Sequence, residues 1–260
     1  MQLLENKVAV VTGGGRGIGR EISLACANAG ADVVLAARSE APLQETRAEI
    51  EALGRQALAV PTDVSDPASV QRCAERVLDH FGRVDVLVNN SGVGGPAAPL
   101  WEIDLADWQE TFAVNVTGVF LCCRAFLPSM VSRRSGSVII IGSMTGKRPL
   151  LNRTPYAASK LALVGLARTL AWETGPYGVR VNVISPGPVA GARLDWVFQM
   201  QAEKEGISVE AARQRLAAAS PLERFVPGAD VANAAVFLAS DLAGSTTGED
   251  LNVSAGIAMY

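Results

Sequence analysis

The stretch Val8-Ala9-Val10-Val11-Thr12-Gly13-Gly14-Gly15-Arg16-Gly17-Ile18-Gly19 passes from an unbroken apolar, β-branched run into a cluster of glycines. An apolar-periodic segment follows, and a buried strand, a tight turn and a helix account for that order. Glycines in such a turn let the backbone approach a pyrophosphate closely. The free N–H groups and positive dipole end of the next helix then face its charge. The glycines read TGxxxGxG and not the strict GxGxxG pattern, so a ligand-free strand-to-helix turn is the competing reading.

Working outward, similar runs recur at residues 33–37, 57–60, 84–88, 138–141, 179–184 and 251–253, which with 8–12 makes seven strands. They are continuously apolar, as strands buried on both faces of a parallel sheet are. Helices are expected near residues 17–29, 40–53, 67–80, 103–132, 156–174 and 229–239. Strands and helices alternate throughout, and crossovers between parallel strands are right-handed. The expected fold is therefore α/β, with residues 1–260 as a single domain built on one doubly wound parallel sheet. Residues 188–220 break the rhythm with an excursion longer than an ordinary connection, read either as a substrate lid or as a helical pair packed on the sheet edge.

Composition agrees with one large globular domain: 260 residues, 49% apolar and 19% charged. The net charge of -3 and the lack of a Lys/Arg block argue against a nucleic-acid partner. Apolar runs such as residues 137–141 are far short of the roughly 18 residues of a membrane span, so no membrane association is expected. The first residues show no secretory signal, and the cytoplasm is the expected compartment. Cys26, Cys73, Cys122 and Cys123 lack CxxC spacing, so neither a zinc site nor a disulfide framework is indicated. The sole histidine, His80, sits at an expected helix end and is read as a C-terminal helix residue, not as a catalyst.

A dinucleotide site with NAD expects an acid at the tip of the second strand, whereas NADP expects a nearby arginine. Here that strand ends Ala36-Ala37-Arg38-Ser39, and Arg16 lies within the glycine turn. Two guanidinium groups suit a 2′-phosphate and favour NADP(H), with NAD(H) as the alternative; solvated surface arginines are the other reading. Farther along, Tyr156 and Lys160 are four residues apart at the start of a helix and share a face. An ammonium within ~4–6 Å of a phenol favours the phenolate, which prepares the pair for proton transfer. Ser143 ends the fifth strand, where its hydroxyl can reach the crevice, and Asn115 is a polar residue inside an apolar helix that needs partners.

Taken together, these residues resemble the short-chain dehydrogenase/reductase family over nearly the whole chain. The likeness rests on residues 12–19, Asp63, Asn89-Asn90-Ser91-Gly92, Asn115, Ser143, Tyr156 with Lys160, and Pro186-Gly187, in the family's order and spacing. It implies a Rossmann fold and a tetrad of Asn115, Ser143, Tyr156 and Lys160. Tyr156 would be the general acid or base, Ser143 would polarise the substrate oxygen, Lys160 would tune Tyr156 and hold the nicotinamide ribose, and Asn115 would keep a relay water. The cofactor would lie along Gly13, Gly15, Arg16, Gly17, Ile18 and Gly19, with Arg38 at its phosphate. Asp63 and Val64 would meet adenine, Asn89 the adenosine side and the backbone of Pro186, Gly187 and Val189 the nicotinamide, with Ser91 and Gly92 also beside the cofactor. Hydride passes directly between nicotinamide and substrate carbon, so no metal is implied. The resemblance also implies a homotetramer built on the helices near 103–132 and 156–174.

The chain departs from the family pattern in two places. Ser91 stands where alanine is usual, and no threonine follows Pro186-Gly187 to bond the carboxamide. The loop between Ser143 and Tyr156 carries Arg148 and Arg153, which either bind an anionic group of the substrate or are solvated or subunit-interface arginines. Leu150, Leu151, Trp196, Phe198 and the loop 93–96 could equally line an apolar pocket. The expected activity is NADP(H)-dependent interconversion of a ketone or aldehyde with its alcohol. An NAD-dependent alcohol or hydroxy-acid dehydrogenase is the nearer alternative, and a non-catalytic dinucleotide sensor is the alternative of another class.

Overall fold

A computed structural model describes residues 2–260, apart from the side chains at positions 192, 193, 196, 201 and 204. Seven strands form one sheet: β1 (Val8–Thr12), β2 (Asp32–Ala37), β3 (Ala57–Pro61), β4 (Val86–Asn89), β5 (Gly136–Ile141), β6 (Val179–Pro186) and β7 (Asp250–Val253). Their order is β3-β2-β1-β4-β5-β6-β7 and every pairing is parallel. The order reverses between β1 and β4, and a doubly wound sheet opens its crevice at the carboxyl ends of the strands flanking that point.

Alternation along the strands divides the apolar side chains into two cores. Ala9 and Val11 face α1 (Gly17–Asn28), α2 (Glu40–Ala52) and α9 (Gly228–Ala239) through Ile22, Leu43, Ile50 and Val231. Val8 and Val10 face the other side, where α3 (Pro67–Phe81), α5 (Gly118–Arg133) and α6 (Thr154–Thr174) supply Val70, Cys73, Phe126 and Leu163. Both faces are covered, which is why the strands read as continuous apolar runs. His80 falls in the last turn of α3, which Gly82 ends in the left-handed region (φ 69°).

The helix expected over 103–132 begins at α4 (Leu105–Phe112), widens into a π-helical turn over Ala113–Thr117 and continues as α5. Periodicity alone does not reveal the wide turn, because one extra residue barely disturbs an apolar stripe. This run, Leu105–Arg133, has the length and mean hydropathy (1.5) to cross a membrane, which corrects the expectation that every apolar stretch is too short. Val119, Leu121, Cys122, Phe126 and Met130 of the run are nonetheless buried in the protein's own core.

Residues 188–220 form α7 (Ala192–Glu205) and α8 (Val209–Ala217). The excursion closes on itself at a neck where Val189 bridges Val226, with hydrogen bonds from Ala190 N to Val226 O and from Val226 N to Pro188 O. Phe198, one of the residues that could line an apolar pocket, is buried here, its ring 5.3 Å from that of Phe225 beyond α8 and with the Arg213 guanidinium over it. The Trp196 side chain lies outside the described residues.

Candidate active site

The glycine turn between β1 and α1 is shaped by close approaches that exclude side chains. Gly13 has φ +68°, and a Cβ there would stand 2.7 Å from Asn90 Nδ2; one on Gly19 would stand 2.1 Å from Gly13 O. Asn90 fastens the turn to β4, its Nδ2 donating to Thr12 O at 2.9 Å, while Thr12 Oγ1 accepts from the N–H groups of Asn90 and Ser91 at 2.9 and 3.0 Å. Gly17, the first residue of α1, has φ +54° and open space where its Cβ would be. No side chain caps that helix and its first turn carries no acid, so its N–H groups face the crevice with their positive end uncompensated. A cradle that any Cβ would fill, at the start of a helix with no acceptor of its own, fits the pyrophosphate of a nicotinamide dinucleotide.

The tips of β2 and β3 flank this cradle. Arg16 and Arg38 are both exposed, and Arg16 donates to Ser39 Oγ at 3.0 Å. Asp63 accepts from Ser65 N and Ser65 Oγ at 2.9 and 2.6 Å. These bonds, with a smaller contribution from the Arg38 charge, hold its carboxyl below the ordinary range. Val64 is buried against the place where Gly118 has no side chain, so only its backbone is available to the crevice. Asn89 is buried as well, its Nδ2 3.5 Å from Cys123 Sγ, and its side chain faces the core while Asn90 holds the cradle. Sequence reading singled out Asn89 and passed over Asn90; a second polar residue at a strand end was the available signal.

Across the crevice, β5 and α6 bring the remaining residues together. Ser143 follows β5, and its Oγ accepts from Thr145 N at 3.1 Å, which fixes the oxygen while its own O–H remains a donor. Lys160 is buried, its Nζ donating to Ile141 O at 2.8 Å and lying 5.8 Å from the centre of the Tyr156 ring. Arg153 stands on the same ring, its guanidinium carbon 5.5 Å from the centre, and donates to Gly94 O at 2.7 Å. Of the two loop arginines, Arg153 is thus drawn inward and Arg148 is exposed, beside the exposed Leu150 and Leu151.

The π turn carries Asn115 into this cluster. Asn115 is fully buried; its Oδ1 accepts from Val93 N at 2.8 Å, and its Nδ2 donates to Val93 O and to Ser159 Oγ, both at 3.0 Å. Ser159 in turn donates to Tyr156 O at 2.8 Å. The Asn115 side chain therefore binds the 90s loop to the first turn of α6. Gly92 lies where a Cβ would come within 3.2 Å of Asn115 Oδ1 and 3.5 Å of Lys160 Nζ, so a side chain there would crowd both. Ser159 was not assigned to the site by sequence reading, because tertiary pairing alone links it to Asn115; Arg153 and Val93 were read there only as candidate substrate contacts, not as partners of Tyr156 and Asn115.

The arrangement combines a dinucleotide cradle with a tyrosine, a lysine and a serine at the carboxyl ends of adjacent parallel strands, which is the layout of a hydride-transfer enzyme. Residues 7–202 match the short chain dehydrogenase family model. The chain is 38% identical to a short chain dehydrogenase/reductase, astE, of Aspergillus oryzae, over 98% of this chain and 96% of the relative. Among solved structures it resembles an actinorhodin polyketide ketoreductase with NADPH (32% identity, TM-score 0.93, 98% of each chain). It also resembles an NAD+-bound xylitol dehydrogenase (28% identity, TM-score 0.92, 97% of this chain and 99% of that one). The chain belongs to the short chain dehydrogenase family. It is an NAD(P)-dependent oxidoreductase that interconverts a carbonyl compound and its alcohol.

Proposed function

We propose that the enzyme uses NADP(H) in preference to NAD(H) to reduce a small-molecule ketone or aldehyde, or to oxidise its alcohol, with Asn115, Ser143, Tyr156 and Lys160 as its catalytic set. The observation that carries this reading is buried Lys160, whose Nζ lies 5.8 Å from the centre of the Tyr156 ring, donates to Ile141 O two residues before Ser143 and stands beside Gly92. The glycine cradle would hold the pyrophosphate and the backbone of Pro186, Gly187 and Val189 the nicotinamide, and the cofactor would supply or accept the hydride at the substrate carbon. Tyr156 gives a proton to the carbonyl oxygen in reduction and takes it back in oxidation. Ser143 donates a hydrogen bond to the same oxygen and orients it. Lys160 holds its ammonium beside the phenol and is placed to meet the ribose. Asn115, through Val93 and Ser159, fixes the two walls of the site and holds a relay water.

The NADP(H) preference is supported by Arg38 directly after β2, with Arg16 of the glycine turn bonded to the adjacent Ser39, which puts two guanidinium groups where a 2′-phosphate would bind. Residues 188–220 act as the substrate lid, a reading supported by their self-closed neck directly after Gly187. Exposed Trp101, Leu105, Phe120, Leu161 and Trp172 on and around α4 to α6 support a homotetramer, and four unpaired thiols among the described residues support the cytoplasm. The test is loss of reduced-nicotinamide absorbance with NADPH and NADH, each run against neutral ketones, keto acids and acetoacetyl thioesters. The range of acceptors is set by Arg148, Leu150 and Leu151 at the rim. Faster turnover with NADPH is expected; a clear preference for NADH would overturn the cofactor reading.

A further inference from the structure

The twelve-residue loop between Ser143 and Tyr156 is anchored by a buried charge that takes no part in the chemistry above. Lysine is almost never buried without a partner. The Lys147 side chain is only 10% exposed and that of Asp250, at the start of β7, 6%, with Nζ 2.8 Å from Asp250 Oδ2. Lys147 Nζ also donates to Asn252 Oδ1 at 2.5 Å, and Ser185 Oγ donates to Asp250 Oδ1 at 2.7 Å. Ser185 immediately precedes the Pro186-Gly187 segment that faces the nicotinamide in the reading above.

The backbone of Lys147 is held equally closely. Lys147 N donates to Met144 O at 2.9 Å, closing the turn Met144–Gly146 that Ser143 caps, and Lys147 O accepts from Tyr260 Oη at 3.3 Å. A Cβ on Gly146 would lie 2.9 Å from Leu161 N and 3.1 Å from the carbonyl carbon of Lys160, so the turn rests on the backbone of α6 at the catalytic lysine. One residue before Ser143, a Cβ on Gly142 would lie 3.0 Å from Ser185 Oγ. Lys147, Asp250 and Ser185 thus complete a ring that joins Ser143, the turn after it and the end of β6.

We propose that Lys147, through its ion pair with Asp250, is a positioning residue that keeps the Ser143 hydroxyl in register with the Pro186-Gly187 backbone; this rests on the roles given above to Ser143 and Tyr156. A buried ion pair need not stabilise a fold, since an apolar pair of similar volume often serves as well, but the Asp250 charge 2.8 Å from Nζ and the hydrogen bond to Asn252 Oδ1 fix where the turn sits, which an apolar pair does not. Misplacement by about 1 Å can cost on the order of 100-fold in rate.

The experiment compares Lys147→Met, Asp250→Leu, the double variant Lys147→Met/Asp250→Leu and Asn252→Ala with the parent. Steady-state kcat and KM, Tm, and NADPH Kd by fluorescence titration are measured. In the double variant we expect Tm to return to within about 2 °C of the parent while kcat stays at least ~10-fold low and NADPH Kd moves less than ~3-fold. Asn252→Ala, which removes one acceptor and leaves the ion pair, lowers kcat about 2- to 5-fold at parental Tm. Parental kcat in the double variant, or in Asn252→Ala should the others not fold, would overturn the proposal. A Tyr156→Phe control separates the two readings. Full activity there means that the assigned roles have failed, whereas an inactive Tyr156→Phe beside fully active Lys147 and Asn252 variants means that only the positioning proposal has.

Discussion

Buried polar clusters sit at both ends of the sheet, and they differ in whether their hydrogen-bonding capacity is used up. At the amino end, the buried Asp85 carboxylate accepts from Val8 N and Arg83 Nε at 2.9 Å, from a second Arg83 nitrogen at 2.6 Å and from Arg133 at 2.5 Å. It joins β1, the entry to β4 and the end of α5, and faces no crevice. At the carboxyl end, Asn115, Ser159 and Lys160 are as thoroughly buried and bonded, yet they support half-buried Tyr156 and Ser143, whose hydroxyls remain donors at a cleft. A buried polar group therefore does not mark function by itself. A satisfied platform with unsatisfied groups on top of it does.

If that distinction holds, mutations at the two ends must separate activity from stability. The largest effect is expected for Tyr156→Phe: steady-state kinetics should show kcat lower by about 10²- to 10⁴-fold, with Tm close to the parent. Next comes Asp85→Asn, which leaves two arginines facing an amide. Breaking a buried pair costs about 3–5 kcal/mol, discounted here to about 2–3 because both arginines are partly exposed. Urea unfolding measures that loss, and kcat per folded molecule should stay at the parental value; a large fall in kcat would erase the contrast between the two ends.

A smaller effect sharpens the reading of the carboxyl end. Arg38→Ala should raise KM for NADPH by about 10-fold, the worth of one charge-assisted contact, and leave KM for NADH nearly unchanged. Equal effects on the two cofactors would mean that Arg38 touches neither 2′ position. The smallest effect is a pH dependence at the amino end. Burial alone would raise the Asp85 carboxyl, but the hydrogen bonds from Arg83, Val8 N and Arg133 together outweigh it and hold the group below its ordinary range. A folded-state value below the unfolded one gives stability that is complete above the unfolded value of about 3.9 and is lost as pH falls through the folded value. The gap in unfolding free energy between parent and Asp85→Asn should thus be the same at pH 7 and pH 5 and narrow below about pH 4.

The strands and most helices were legible because burial on both faces leaves continuous apolar runs, and because Asp66-Pro67 and Gly82 punctuate α3 as capping chemistry requires. Tyr156 and Lys160 were legible because their four-residue spacing is helical. The π turn at Asn115 was not, since the apolar pattern runs on across it, and the membrane-length run Leu105–Arg133 was overlooked because its apolar character is interrupted residue by residue. The partnership of Lys147 with Asp250 was also invisible: the two are 103 residues apart, and each alone reads as a solvated surface charge.

By itself the sequence determined the doubly wound fold and the residue types of the site, because burial periodicity, glycine turns and helical spacing are local properties of the chain. Only the tertiary structure decided which polar groups are held and which are left to act. It turned Asn89 into the core and gave Asn90 the cradle, drew Arg153 onto the Tyr156 ring while leaving Arg148 outside, and joined Ser143 to β7 through a buried lysine. Those outcomes depend on hydrogen bonds and charges that meet across distant segments, and such meetings exist only once the sheet has brought its carboxyl ends together.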